Sequence, residues 1–208
     1  MSALSENLAA IQARIETIAE KHGRKAGEVG LVAVSKTNPP EAIREVFQAG
    51  QRVFGESRVQ EALPKLDALP PEIEWHFIGH LQTNKIRKVV SRFALFHGVD
   101  NQNLALQINR IAGELGVTAN VLLEVNVSGE ESKFGFDPKT LPAALEVLLP
   151  LPFLQIQGLM TMAPYSDDPE TARPYFAKLR EWRDRLKIET GNPLHELSMG
   201  MSGDFEQG

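Results

Sequence analysis

Short apolar runs rich in β-branched residues alternate with helically spaced stretches along almost the whole chain, a rhythm that few architectures accept. Leu4, Leu8, Ile11, Ile15 and Ile18 step by four and three, so residues 2–21 read as an amphipathic helix. His22-Gly23 and Lys25-Ala26-Gly27 end it. Leu31-Val32-Ala33-Val34 is a continuous apolar run, as expected of a strand buried on both faces. Asn38-Pro39-Pro40-Glu41 then starts a helix, with Asn38 as cap and proline in the first turn. Ile43, Val46 and Phe47 form its buried stripe, and Gly50 stops it.

The cycle repeats. Arg52-Val53-Phe54 is a short strand before a helix near 57–68. A strand over 73–78 precedes a helix near 83–91. Leu95-Phe96-His97 is a strand, and Asp100 can cap a helix carrying Leu104, Ile108, Ile111 and Leu115. Residues 120–127 form the clearest strand, and 141–149 are helical. A strand over 154–159 leads to the stripe Tyr175, Leu179, Trp182 and Leu186, and Glu196-Leu197-Ser198 starts a seventh strand. Repeated βαβ units need parallel strands joined by right-handed crossovers. An open doubly wound sheet and a closed (β/α) barrel both fit. No Gly-x-Gly-x-x-Gly follows the first strand, and the regular cycle favours the barrel. No Pro/Gly/Ser-rich linker divides the chain, so one domain over 1–208 is expected.

A net charge of -5 argues against general binding to a phosphate backbone, so no nucleic-acid partner is expected. It leaves small anions open, because a local cradle of N–H groups can hold a phosphate on an acidic protein. The chain has no cysteine, which excludes thiolate nucleophiles and cysteine zinc sites and fits a reducing cytoplasm. No apolar run approaches the roughly 20 residues that span a bilayer. A cytoplasmic monomer without membrane contact is the expectation.

Lys36 is the most pointed chemical feature, standing at the C-terminal end of the first apolar strand. Ligand chemistry in barrels sits at that face. A lysine held against apolar walls loses hydration, and its free amine becomes a nucleophile towards aldehydes. The plainer alternative is a strand-end lysine reaching to water. Ser198-Met199-Gly200-Met201-Ser202-Gly203 follows the seventh strand, where barrels often place a phosphate. Two glycines and two hydroxyls there can admit a phosphate to backbone N–H groups, or form a simple turn. His76 and His80, four apart on a strand, would lie about 13 Å apart, which disfavours a shared metal. His76 is a candidate polar wall of the barrel mouth and His80 a loop residue, while His97 and His195 read as structural. Gln82-Thr83-Asn84-Lys85 reads as a helix start, and the polar loop 128–135 as a turn, a lid or a partner surface. The carboxylates are scattered, and no acid/base pair stands out.

Taken together, Val32-Ala33-Val34-Ser35-Lys36-Thr37, Phe54-Gly55-Glu56, Trp75-His76-Phe77-Ile78-Gly79 with Leu81-Gln82 and Asn84-Lys85, Val125-Asn126-Val127 with Lys133-Phe134-Gly135, Gly158-Leu159-Met160 and Leu197-Ser198-Met199-Gly200-Met201-Ser202 resemble the pyridoxal phosphate homeostasis protein family. The resemblance implies a TIM-like (β/α) barrel similar to the N-terminal domain of alanine racemase. It implies pyridoxal 5′-phosphate (PLP) held as an imine on Lys36, with phosphate contacts from Ser198, Gly200, Met201 and Ser202. It also implies a cofactor carrier or regulator of vitamin B6 and amino-acid balance with no established catalytic activity, and PLP-dependent apo-enzymes as partners. Two departures stand out. Ser57-Arg58 replaces the family's Asn-Tyr, and the sequence stops short of the family's helix and eighth strand after Asp204-Phe205-Glu206: either the sequence is a piece of a longer protein, or the protein is truncated, which would open a seam between the first and seventh strands.

Three rivals remain. A PLP enzyme such as a weak racemase would need a proton donor opposite the lysine. A cofactor-free Schiff-base lyase would not form a yellow complex with PLP. A regulatory protein would bind partners according to cofactor loading.

Overall fold

The computed structural model describes residues 2–25, 27–130 and 133–208. Ala26, in the expected stop of the first helix, and Glu131 and Ser132, in the 128–135 loop, lie outside the described residues. Internal contacts divide the chain into two compact units, residues 1–76 and 77–208.

The first unit opens with α1 (Ala3–Lys21), capped by Ser2, whose hydroxyl accepts from the Ser5 N–H. β1 (Ala33–Val34) follows, then α2 (Pro40–Gln48), β2 (Val53–Glu56), α3 (Val59–Ala68) and β3 (Glu74–Phe77), whose last residue belongs to the second unit. β1 and β2 are parallel, with Ala33 opposite Phe54 and Val34 opposite Gly55. Phe54 and Trp75 pack with ring centroids 5.9 Å apart. Two expectations fail here. Leu31–Val34 is not buried on both faces, since Val34 is 48% exposed. β1 is only two residues long, pairing Ala33 and Val34 with β2, so the apolar run does not receive the cover of a central strand. Asn38 does not cap α2 either; Pro39 holds that position, and the Asn38 amide instead donates to the Lys36 carbonyl at 3.3 Å.

The second unit carries a 3-10 turn (Thr83–Lys85), α4 (Ile86–Val89), β4 (Leu95–Val99), α5 (Gln102–Leu115), β5 (Ala119–Glu124), α6 (Leu141–Leu148), β6 (Leu154–Met160), α7 (Arg173–Thr190) and β7 (Glu196–Ser198). β4 to β7 pair in chain order, all parallel. Leu122 and Leu123 on β5 are both buried, as a strand covered on both faces requires. Leu104, Ile108 and Ile111 form the buried stripe of α5, and Gly116 ends it in the left-handed conformation that glycine adopts without strain. Asn101, rather than Asp100, caps α5, accepting from the Leu104 N–H at 2.8 Å. Asp100 is drawn away by His80, which donates to it at 2.8 Å.

Candidate functional site

Lys36 stands two residues beyond the end of β1 in the first unit, and its backbone is fixed from several sides. The Ser35 N–H donates to the Gly55 carbonyl at 3.0 Å. The Ser35 hydroxyl donates to Glu56 Oε1 at 2.7 Å. Lys65 Nζ, from α3, donates to the same Glu56 oxygen at 2.7 Å and to the Ser35 carbonyl at 2.9 Å. Thr37 holds a left-handed φ of 65°, a costly conformation for a β-branched residue. Its N–H points to Glu61 Oε2 at 3.4 Å.

The Lys36 side chain itself is exposed, as is Val34 two residues earlier. Alternation along an extended segment puts these two on one side and Ser35 on the other, where it is buried with Glu56 and Lys65. The apolar walls expected around Lys36 are therefore not provided by the strand that carries it, because Val34 is open to solvent too, and the exposure of Lys36 is that of the plainer alternative, a strand-end lysine reaching to water.

The Ser198–Ser202 turn belongs to the second unit. Ser198 ends β7, and its hydroxyl pairs with His97 Nδ1 at 2.8 Å. Its carbonyl accepts from the Thr161 N–H at 3.1 Å, tying β7 to the segment after β6. Gly200 has a φ of 84°, and a Cβ there would meet the Phe205 backbone at 2.9 Å. Among the described residues, the N–H groups of Gly200 and Ser202 and the Ser202 hydroxyl have no hydrogen-bond partner. The Met201 N–H is already taken by Asp204 Oδ1 at 2.5 Å. The turn thus fits a phosphate ester through Gly200 and Ser202, whereas Met201 would first have to release Asp204.

The structure also assembles groups that the sequence did not reveal. Glu124 ends β5, buried near Asp100 and His80. Burial, and secondly the Asp100 carboxylate, push the Glu124 carboxyl up to about 7, with His80 opposing. His80 also stacks on Phe134, with centroids 4.6 Å apart. A cavity of about 270 Å³ lies against this cluster, lined by His80, Gln82, Thr83, Asn101 and Asn103. Neither Lys36 nor the Ser198–Ser202 turn lines it. His76 pairs with Glu74 at 2.9 Å. In the loop after β5, Asn126 Oδ1 accepts from Ser128 Oγ and the Gly129 N–H, each at 3.0 Å, which gives that end of the loop an internal staple. Arg58, at the first departure from the family pattern, occupies the N-cap position of α3 without a side-chain cap and pairs with Glu61 at 3.0 Å. Glu56 and Glu124 share one signal that could have flagged them: each is an acid on the last residue of a mostly apolar strand.

A family profile described as "Alanine racemase, N-terminal domain" matches residues 7–208. The "Pyridoxal phosphate homeostasis protein" of Aquifex aeolicus is 47% identical over 202 residues, 97% of this chain and 89% of that protein. The chain belongs to the pyridoxal phosphate homeostasis protein family. The Pseudomonas aeruginosa member is 43% identical over 209 residues, covering 99% of this chain and 88% of that one. The solved structure of PipY from Synechococcus elongatus, with PLP bound, superposes with a TM-score of 0.81 at 40% identity, over 95% of this chain and 92% of PipY. Membership gives the chain the TIM-like α/β fold of the alanine racemase N-terminal domain, as its rhythm of strands and helices led one to expect. These relatives bear the name of a homeostasis function rather than of a reaction.

Proposed function

We propose that this chain binds PLP covalently through Lys36, with Ser198, Gly200, Met201 and Ser202 receiving the phosphate, and serves intracellular PLP balance as a carrier rather than as an independent enzyme. One observation carries the reading. Lys36 offers an accessible primary amine on a backbone held by its neighbours, at the C-terminal end of β1. The kinship with PipY, whose structure holds PLP, supports the choice of ligand.

When bound, the cofactor supplies an aldehyde that exchanges between amines. Lys36 Nζ would be the resident amine, and its exposure leaves it open to incoming ones. The unpartnered N–H groups of Gly200 and Ser202 would orient the phosphate, and the Ser202 hydroxyl would add a third donor. Ser198 would keep its bond to His97 and hold the root of the turn.

The cofactor is thus the small-molecule partner, and PLP-dependent apo-enzymes are the proposed recipients. We place the protein in the cytoplasm as a monomer, with 1–208 acting as one domain. The absence of cysteine supports the compartment, and the family match through both units supports the single domain. Among the described residues no helix is long and apolar enough to cross a membrane.

Borohydride reduction of the PLP complex, followed by peptide mass mapping, tests the reading. The expected result is one pyridoxyl adduct, on the Lys36 peptide. An adduct confined to Lys85, Lys133 or other lysines overturns it. Loss of an amino acid's α-hydrogen to solvent deuterium, abolished in Lys36→Ala, would replace the carrier with a racemase-like enzyme.

A further inference from the structure

The buried charges of the first unit lie behind Lys36, not in front of it. Glu56 is fully buried and Lys65 nearly so. Glu56 Oε1 accepts from both Ser35 Oγ and Lys65 Nζ, while Glu56 Oε2 is buried without a hydrogen-bond partner. A buried carboxylate with an orphaned oxygen is a poor way to stabilise a fold. Apolar residues of similar volume often do as well or better than a buried ion pair. What such a pair can do is fix geometry, since its strong bonds are directional.

The geometry fixed here is that of one peptide. Every bond of the network ends on Ser35 or on its β2 neighbours. Lys65 Nζ and the Asn38 N–H both converge on the Ser35 carbonyl, at 2.9 and 3.1 Å. The Ser35 hydroxyl reaches Glu56, and also the Gly55 carbonyl at 3.3 Å. The Ser35 carbonyl carbon is bonded to the Lys36 nitrogen. On the other flank, Thr37 is held at a φ of 65° with Glu61 facing its N–H. Residues just past a strand only two residues long would otherwise be loosely held.

We propose that the Glu56–Lys65 pair is a positioning device: it locks the Ser35 peptide so that the solvent-side amine of Lys36 leaves the strand in one direction. Glu56 and Lys65 touch no ligand and act through the backbone. The proposal rests on the reading of Lys36 as the PLP lysine, and it adds the residues that aim it. A fixed lysine forms its bond to a docked aldehyde without first losing conformational freedom, and a misplacement near 1 Å can cost as much as a hundredfold. A ligand without an aldehyde should be indifferent to the aim.

The test compares two ligands on the full chain: PLP, which can join Lys36, and pyridoxamine 5′-phosphate, which carries the same phosphate but no aldehyde. The double variant Glu56→Gln/Lys65→Met removes both charges together, leaving no lone buried ion. Its affinity for PLP should fall roughly tenfold or more, while its affinity for pyridoxamine 5′-phosphate stays within about twofold. Ser35→Ala keeps the ion pair and removes only the hydroxyl link; it should shift PLP in the same direction by less, which provides a second reading if the double variant does not fold. Unchanged PLP affinity, or an equal loss for both ligands, overturns the proposal. Borohydride mapping of the unmodified protein separates the two levels. With the adduct on Lys36 and variant affinities unchanged, the positioning role alone is lost. With the adduct elsewhere, the reading of Lys36 and this proposal are lost together.

Discussion

Glu124 closes β5 with its carboxyl buried against a second acid, Asp100, and that arrangement makes stability depend on pH. The carboxyl is raised from its ordinary value of 4.5 to about 7, so the folded protein holds a proton that the unfolded chain releases between those values. Stability is therefore expected to fall as pH rises from about 4.5 to about 7, and then to level off. Glu124→Gln removes the charge while keeping the shape. At pH 8 it should be more stable than the parent by on the order of 2 kcal/mol, and near pH 5 the two should differ little. Urea unfolding at both pH values measures this, and an equal gap at each would show that Glu124 is not the burdened group. The sequence shows Glu124 as an acid at a strand end, but not the neighbours that raise it. Lys36 and the Ser198–Ser202 turn stand out as candidates by position and residue type, but Glu124, Asp100 and His80 are separated by about twenty residues each and meet only through strand pairing. The same holds for Ser35, Glu56 and Lys65.

Among elements, the order of strands and helices was readable because each buried stripe repeats with the period of its own structure. α5 shows it: Leu104, Ile108 and Ile111 are buried and Gly116 stops the helix, while Leu115, the expected fourth member of the stripe, is exposed in the last turn. The errors fell where a choice depended on neighbours. Asp100 and Asn101 are both competent caps, and the sequence cannot say that His80 claims the first. Likewise Leu31–Val34 has the composition of a central strand and the exposure of an edge. β6 presents a close approach that composition also hides. Its pairing with β5 shifts register between Ile156 and Gly158, and a Cβ at Gly158 would overlap the Glu196 carbonyl oxygen on β7. Gly158→Ala should therefore push β7 away and destabilise the protein by about 1–3 kcal/mol, read from the urea midpoint. Ser198 lies opposite Met160 in the same ladder, so affinity for pyridoxamine 5′-phosphate should fall as well. Lost stability with full affinity would mean that the turn does not depend on β7 for its placement.

Over the whole molecule, the cofactor should appear as stability. A ligand that binds only the folded state adds free energy by mass action, about 2.7 kcal/mol at a hundred times its Kd. For a chain of 208 residues, that corresponds to a rise in Tm on the order of 6 °C. The contacts divide into two units, so melting need not be a single transition, and each transition should be followed separately. Lys36 lies in the first unit and the Ser198–Ser202 turn in the second. PLP should raise Tm in the parent chain. Lys36→Ala retains the proposed phosphate contacts but cannot form the covalent link, so its rise should be smaller and match that given by pyridoxamine 5′-phosphate. Differential scanning calorimetry across a range of ligand concentrations makes the comparison. If PLP shifts the variant as far as the parent, phosphate docking accounts for the affinity and Lys36 does not hold the aldehyde. If saturating PLP shifts neither, the chain does not bind the cofactor and the carrier reading falls.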